Sequence, residues 1–162
     1  LEHASLQDHS ALVVDDDAFM LAALAELLSE DGYDVHTASN GFSALRLANE
    51  LHPAVIVLDL VLPERSGMDV LRDLRGDAAT RDMGIVIVTG HVDALTPAMV
   101  AETDAVVAKP FDEDELLLAV HRALLRAVAR RDEVAPVAAT VHRDALARAR
   151  RAAGAHRSRG RR

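Results

Sequence analysis

The sequence predicts an α/β fold in which buried parallel strands alternate with helices on both faces of one sheet. Short, mostly β-branched apolar runs recur at Leu12-Val13-Val14, Val55-Ile56-Val57-Leu58, Ile85-Val86-Ile87-Val88 and Ala105-Val106-Val107-Ala108. Runs without polar alternation read as strands covered on both faces, and the helix-length segments between them are what parallel neighbours require. A further observation bears on function. Each run ends in a side chain able to ligate, react or carry charge: Asp15-Asp16-Asp17, Asp59, Thr89 and Lys109. In open α/β sheets the functional crevice lies beyond the carboxyl ends of the strands, so Asp15, Asp16, Asp59, Thr89 and Lys109 should meet on one rim.

Five strand-helix units account for the pattern. Strands are expected near residues 11–15, 33–37, 54–59, 84–89 and 105–108, and helices near 17–31, 41–51, 65–76, 94–102 and 112–131. Asp31-Gly32 ends the first helix with a residue that accepts a left-handed backbone. Ser39-Asn40-Gly41 turns the chain and can cap the second helix, and Asp112 can cap the last. In that last helix Leu116, Leu117, Val120 and Leu124 recur at helical spacing, which marks an inward face.

With 162 residues, half of them hydrophobic, the chain suits one domain plus a tail. Residues 1–9 are set aside as an N-terminal extension, 10–131 form the domain, and 132–162 form a tail rich in Ala and Arg. The absence of cysteine excludes disulfides and thiol chemistry. Residues 1–10 carry no basic n-region and no long apolar stretch, and no run approaches the roughly 18 apolar residues of a membrane span. A cytoplasmic protein is expected on that basis. Charge is divided unevenly: residues 136–162 hold eight Arg and one Asp, a net of +7 against −8 for the whole chain, which leaves −15 on the rest. The acidic part is poorly suited to nucleic acid, so any contact with nucleic acid or an acidic surface would fall to the tail. Thr140 to Ala153 can form an amphipathic helix ended by Gly154, but alanine buries little area and the tail is expected to be marginally ordered.

Lys109 is the only lysine in a chain that otherwise uses Arg for every fixed cation. A lone Lys suits a site that needs a compact ammonium on a flexible stem, typically against a phosphate oxygen. Three carboxylates on the same rim repel one another, at roughly 4 kcal/mol for a pair about 4 Å apart at an effective dielectric of 20. Either their protonation shifts or a cation sits among them, and a hard divalent ion beside phosphate chemistry points to Mg2+. Asp59 follows the central run and meets the turn Leu60-Val61-Leu62-Pro63-Glu64-Arg65-Ser66-Gly67, which makes it the better nucleophile. Asp15 and Asp16 would then hold the metal, Thr89 would bond a phosphoryl oxygen, and Lys109 would offset charge.

Asp15-Asp16, Asp59 with Pro63 and Gly67, Thr89, and Lys109-Pro110-Phe111 together resemble the receiver domain of two-component response regulators over roughly residues 10–131. The resemblance implies a (βα)5 flavodoxin-like sheet in strand order 2-1-3-4-5. It also implies phosphotransfer to Asp59 from a phosphohistidine on a sensor histidine kinase or histidine phosphotransfer protein, followed by docking on a downstream protein target. Of the Mg2+ ligands it implies, Asp16 binds directly, Asp15 acts largely through water, and the backbone carbonyl of Val61 completes the set with Asp59. The chain would assist its own phosphotransfer and dephosphorylation without being a conventional enzyme.

The sequence also departs from the family. Val106 stands where an aromatic switch residue is usual, three places before Lys109, and Val61 and His91 flank the path of the hydrolytic water. The alternative is a haloacid-dehalogenase-like phosphatase with Asp15 as nucleophile. Against it, Phe19 occupies a place where that family needs Thr or Val, and no late acidic pair follows the lysine at the metal site that family requires. About thirty residues after the last helix are too few for a helix-turn-helix domain, so no DNA-binding domain is expected and the chain reads as a stand-alone receiver.

Overall fold

The structure, a computed structural model, describes residues 9–133. The chain divides into two compact units, Leu1–Ala127 and Val128–Arg162. Of the second unit only residues 128–133 are described, and they are helical. The expected helix from Thr140 to Ala153 and the marginal order of the tail lie outside the described residues, as does nearly all of the N-terminal extension.

Within the first unit, five strands form one parallel sheet: β1 (Ser10–Val14), β2 (Asp34–Ala38), β3 (Val55–Leu58), β4 (Gly84–Thr89) and β5 (Ala105–Ala108). Their order is β2-β1-β3-β4-β5, the order expected. Four helices alternate with them, α1 (Ala18–Glu30), α2 (Gly41–Leu51), α3 (Gly67–Gly76) and α4 (Pro97–Glu102). A fifth, α5, begins at residue 113 and is helical to the end of this unit. No helix among the described residues is long and apolar enough to cross a membrane.

Pleating sorts the apolar runs into two cores, because successive residues of a strand face opposite sides of the sheet. Ala11, Val13, Val55, Val57, Val86 and Val88 pack against Leu24 and Leu28 of α1 and Leu116, Val120 and Ala123 of α5. Leu12, Val14, Ile56, Leu58, Ile85 and Ile87 pack on the other side against Ala44 and Ala48 of α2 and Val70, Leu71 and Leu74 of α3. Strands buried on both faces need apolar residues at every position, which is why the runs show no alternation.

The caps include those the sequence suggests at Gly32, Asn40 and Asp112, and a further one at Asp17. Asp17 accepts from the Phe19 and Met20 amides at the start of α1, Asn40 accepts from Ser43 N at the start of α2, and Gly32 takes a φ of 95° after α1. The Asp112 carboxylate accepts from Glu115 N at 2.7 Å.

Three expectations need correction. The helix expected from residue 65 starts at Gly67, with Ser66 as its cap. The helix expected from 94 is split into a single 3-10 turn, Val92–Ala94, and α4, because Pro97 is accommodated in the first turn of a helix capped by Thr96. The inward stripe of α5 is Leu116, Ala119, Val120 and Ala123, with Leu117 and Leu124 at its margins. Alanine serves there because the helix runs close to the sheet: a Cβ added to Gly84 would sit 2.8 Å from the Ala123 carbonyl oxygen.

Candidate functional site

Strand ends place the candidate side chains. Val14 of β1 pairs with Leu58 of β3, so Asp15 and Asp59 emerge side by side one residue later. The ladder continues through them, with Asp15 N donating to Ala38 O at 3.2 Å and Asp59 N to Val14 O at 3.0 Å. On β5, Val107 belongs to the core on the α1 and α5 side, and Lys109 shares its parity. Lys109 N is held at 2.8 Å by the Thr89 carbonyl. Its side chain must then pass over β4 to reach β3, two strand spacings or roughly 10 Å away.

The ammonium completes that reach. Lys109 Nζ donates to Asp15 Oδ2 at 2.7 Å and to Asp59 Oδ2 at 3.0 Å. Asp15 and Asp59 are largely buried, at 1% and 8% exposure, so these are charge-assisted bonds in a sheltered setting. The second oxygen of each acid is also engaged. Asp15 Oδ1 accepts from Asp17 N at 2.9 Å and Asp59 Oδ1 from Val61 N at 3.2 Å. Burial alone would lower the affinity of Lys109 for its proton. The hydrogen bonds to Asp15 and Asp59 and their two negative charges more than reverse this, and the ammonium is held above the ordinary lysine value.

Asp16 differs from its neighbours. It is exposed, its carboxylate makes no hydrogen bond or ion pair among the described residues, and it lies with those of Asp15 and Asp59 within a 4.8 Å span. Three hard oxygen ligands so placed, one of them uncommitted, fit a divalent cation such as Mg2+, which binds oxygens at about 2.0–2.1 Å and keeps several waters. Asp15, Asp16, Asp17, Asp59, Val61, Gly90, His91 and Lys109 line one open cleft.

Thr89 stands behind this cleft. It is fully buried, its parity on β4 is that of Ile85 and Ile87, and it therefore belongs to the α2 and α3 side of the sheet while Lys109 belongs to the other. Its Oγ1 accepts from His91 N at 3.0 Å. The sequence brings Thr89 to the correct rim, but only counting the pleat shows that it and Lys109 approach from opposite faces.

The loop after Asp59 is fixed by contacts that sequence reasoning did not single out. A Cβ on Gly67 would overlap the Asp59 carbonyl oxygen, and a Cβ on Gly41 would overlap that of Arg65. Both helices thus begin with a residue whose missing side chain lets the loop approach. Gly67 N donates to Leu60 O at 2.9 Å, Arg65 pairs with Asp73 of α3, and Glu64 takes a φ of 68°. The sequence marks Gly41 as a turn residue and Gly67 as a turn residue within the family resemblance, but close approach between separate segments leaves no local pattern of its own.

A family model described as the response regulator receiver domain matches residues 11–121. The transcriptional regulatory protein KdpE of Mycobacterium tuberculosis is 40% identical over 131 residues, which cover 80% of this chain and 57% of that protein. The DNA-binding response regulator MtrA of Mycobacterium leprae is 37% identical over 117 residues, 71% of this chain and 51% of that one. The chain thus spans a little over half the length of these curated relatives, and the stand-alone reading rests on a length that they exceed. Among solved structures, a response regulator receiver domain protein from Clostridium thermocellum is 32% identical with a TM-score of 0.66, covering 72% of this chain and 94% of that one. The response regulator TrrA of Thermotoga maritima, solved in complex with Mg2+ and BeF, is 31% identical with a TM-score of 0.65, covering 70% and 97%. Strand order, the acidic cleft with its bridging lysine and the family match over most of the domain lead to one conclusion: the chain belongs to the response regulator receiver domain family, whose members are phosphoaccepting signalling proteins of two-component systems.

Proposed function

We propose that this chain takes a phosphoryl group from a phosphohistidine onto Asp59 and signals by docking on a protein target in the cytoplasm. The phosphohistidine would sit on a sensor histidine kinase or a histidine phosphotransfer protein. The observation that carries the reading is the Lys109 ammonium bridging Asp15 and Asp59 beside the uncommitted carboxylate of Asp16. A carboxylate oxygen of Asp59 attacks phosphorus, the P–N bond breaks, and the imidazole leaves. Asp59 is the acceptor because it lies at the central strand end, is less enclosed than Asp15, and is held at its back by Val61 N and at its side by Lys109. The new dianionic group then needs cations around it, and Lys109 is one.

Asp16, Asp59 and the Val61 carbonyl would hold Mg2+ directly, with Asp15 acting largely through water. The ion would neutralise phosphoryl oxygens as charge moves onto them. Thr89 would register the product through its hydroxyl, whose oxygen now accepts from His91 N and whose proton can be given to a phosphoryl oxygen. Val61 and His91 line the cleft and would tune the lifetime of the acyl phosphate. The receiver would occupy residues 10–131, with the basic tail a separate segment able to contact nucleic acid or an acidic surface.

Acetyl phosphate with Mg2+ tests the reading. The wild type should gain one phosphoryl group, removable by hydroxylamine, and Asp59→Asn should gain none. Label persisting in Asp59→Asn would refute the assignment, and steady turnover of small phosphomonoesters would favour the haloacid-dehalogenase-like reading with Asp15 as nucleophile.

A further inference from the structure

Helix α4 is held very differently at its two ends. It has six residues, none of them fully buried, and touches the core only through Met99, with Leu95 just ahead of it. Its first turn is capped by Thr96, whose Oγ1 accepts from Met99 N at 3.3 Å, and it is joined to Thr89 by the exposed turn Val92–Ala94, which has no side-chain cap. Between α3 and α4 lies a crevice of about 230 Å³, lined by Met68, Leu71, Arg72, Thr96, Met99 and Glu102. The crevice runs along α4 from Thr96 to Glu102, so the helix has room to move, and its first turn has few bonds to lose.

At the other end a guanidinium gathers several segments. Arg75, near the end of α3, donates Nε–H to Glu102 O at 2.8 Å, and Nη1–H to Arg81 O at 2.6 Å and to Met83 O at 2.7 Å. Its Nη2 donates to Asp104 Oδ2 at 3.0 Å, and that oxygen also accepts from Ile85 N at 2.9 Å. Arg126 of α5 donates to the Asp104 carbonyl at 3.0 Å. The Arg75 and Asp104 side chains are 14% and 4% exposed, so breaking this set would strand charge away from water.

We infer that the Arg75–Asp104 network is a fixed pivot, about which α4 swings into the α3–α4 crevice when the segment after Thr89 shifts. This rests on the proposed phosphorylation of Asp59. The pivot confines the change to the end of α4 nearest the site: Glu102, Asp104 and the start of β5 stay in place. Displacement along a rigid helix falls in proportion to distance from its pivot, so with the pivot at residue 103 Glu102 moves on the order of one-seventh as far as Thr96. The receiver would therefore present a changed surface at residues 90–99 without repacking the far end of the sheet.

The test is amide chemical-shift change in the full chain on adding Mg2+ and beryllofluoride, in the wild type and in Arg75→Lys. Wild-type changes should be large from Gly90 to Met99 and fade by Glu102. Arg75→Lys keeps a charge but cannot span the separate acceptors, so its changes should spread through Glu102 and Asp104. Asp104→Asn, which retains an acceptor for Ile85 N, should give the same spread if Arg75→Lys fails to fold. Changes as large at Glu102 as at Thr96 in the wild type, or an unaltered gradient in the variants, would overturn the pivot. The amides of Val61 and His91 report the site itself. If they stay silent the phosphoacceptor reading fails and the pivot with it, whereas if they respond while α4 does not, only the pivot falls.

Discussion

Replacing Asp16 with Asn should make the metal-free protein more stable and remove most of its response to Mg2+. Asp16 has no partner among the described residues, yet its carboxylate lies within 4.8 Å of those of Asp15 and Asp59. Coulomb's law at that separation gives about 0.9 kcal/mol of repulsion per pair at the dielectric of water and about 3.5 kcal/mol at an effective dielectric of 20. An exposed group sits near the water limit, so the two pairs together cost about 2 kcal/mol at low ionic strength. The same substitution removes a negative charge ahead of helix α1, worth about 0.5 kcal/mol in the opposite direction, and some attraction to a Lys109 already shared between two acids. Repulsion wins by about 1 kcal/mol, which for a domain of this size is a rise in Tm of about 4 °C. Thermal unfolding followed by circular dichroism, with and without Mg2+ and at two salt concentrations, measures it. The wild type should gain stability from Mg2+ by binding linkage and Asp16→Asn should gain little. A lower metal-free Tm in Asp16→Asn, or a full Mg2+ shift, would refute the account of why three acids stand together here.

Asp17→Ala should do less harm to Mg2+ affinity than Asp16→Ala, because Asp17 spends its carboxylate capping α1; the loss of that cap should cost about 1 kcal/mol, read by urea unfolding. Gly67→Ala should lower phosphorylation by acetyl phosphate at least about tenfold, since the added methyl displaces the Asp59 backbone and a shift of about 1 Å is enough to spoil in-line attack; an unchanged rate would show that the loop yields harmlessly. Thr89→Ala should shrink the shift response to beryllofluoride after residue 89, whereas Val106→Ala should largely keep it, and the reverse ranking would make residue 106 the transmitter. For Lys109 the sign follows from its raised proton affinity: its stabilisation is complete below pH 10.5 and fades as pH rises through the raised value. The stability gap between wild type and Lys109→Met should therefore be constant around neutral pH and narrow in strong alkali.

The sequence declares the strands more sharply than the helices, for a physical reason. A strand buried on both faces must be apolar at every position, and β4 was legible to the residue at Gly84–Thr89. Helix ends depend on which of several polar residues captures the free amides. Ser66 rather than a residue near 64 caps α3, and Thr96 with Pro97 displaces the start of α4 by three residues. The site acids and Lys109 were legible because each ends a run. The Arg75–Asp104 network was not, since an Arg near the end of a helix and an Asp before a strand look like solvated charges until the fold brings segments 29 residues apart together.

Parity explains how a receiver of this sequence can couple chemistry to shape without an aromatic switch. Lys109 and the two acids meet on the α1 and α5 side of the sheet, where the helices bury Leu24, Leu28, Leu116 and Val120 and little can shift. Thr89 and Val106 face the other side, which carries α3 and the lightly held α4. A phosphoryl group on Asp59 would be gripped from the rigid face by Lys109 and sampled from the yielding face by Thr89. Only the second contact has slack behind it, in the turn at Val92–Ala94 and the crevice beneath α4. A small residue at 106 removes one obstacle to inward movement as well as one reporter of it. The direction of signal flow would then follow from where packing is dense and where it is not.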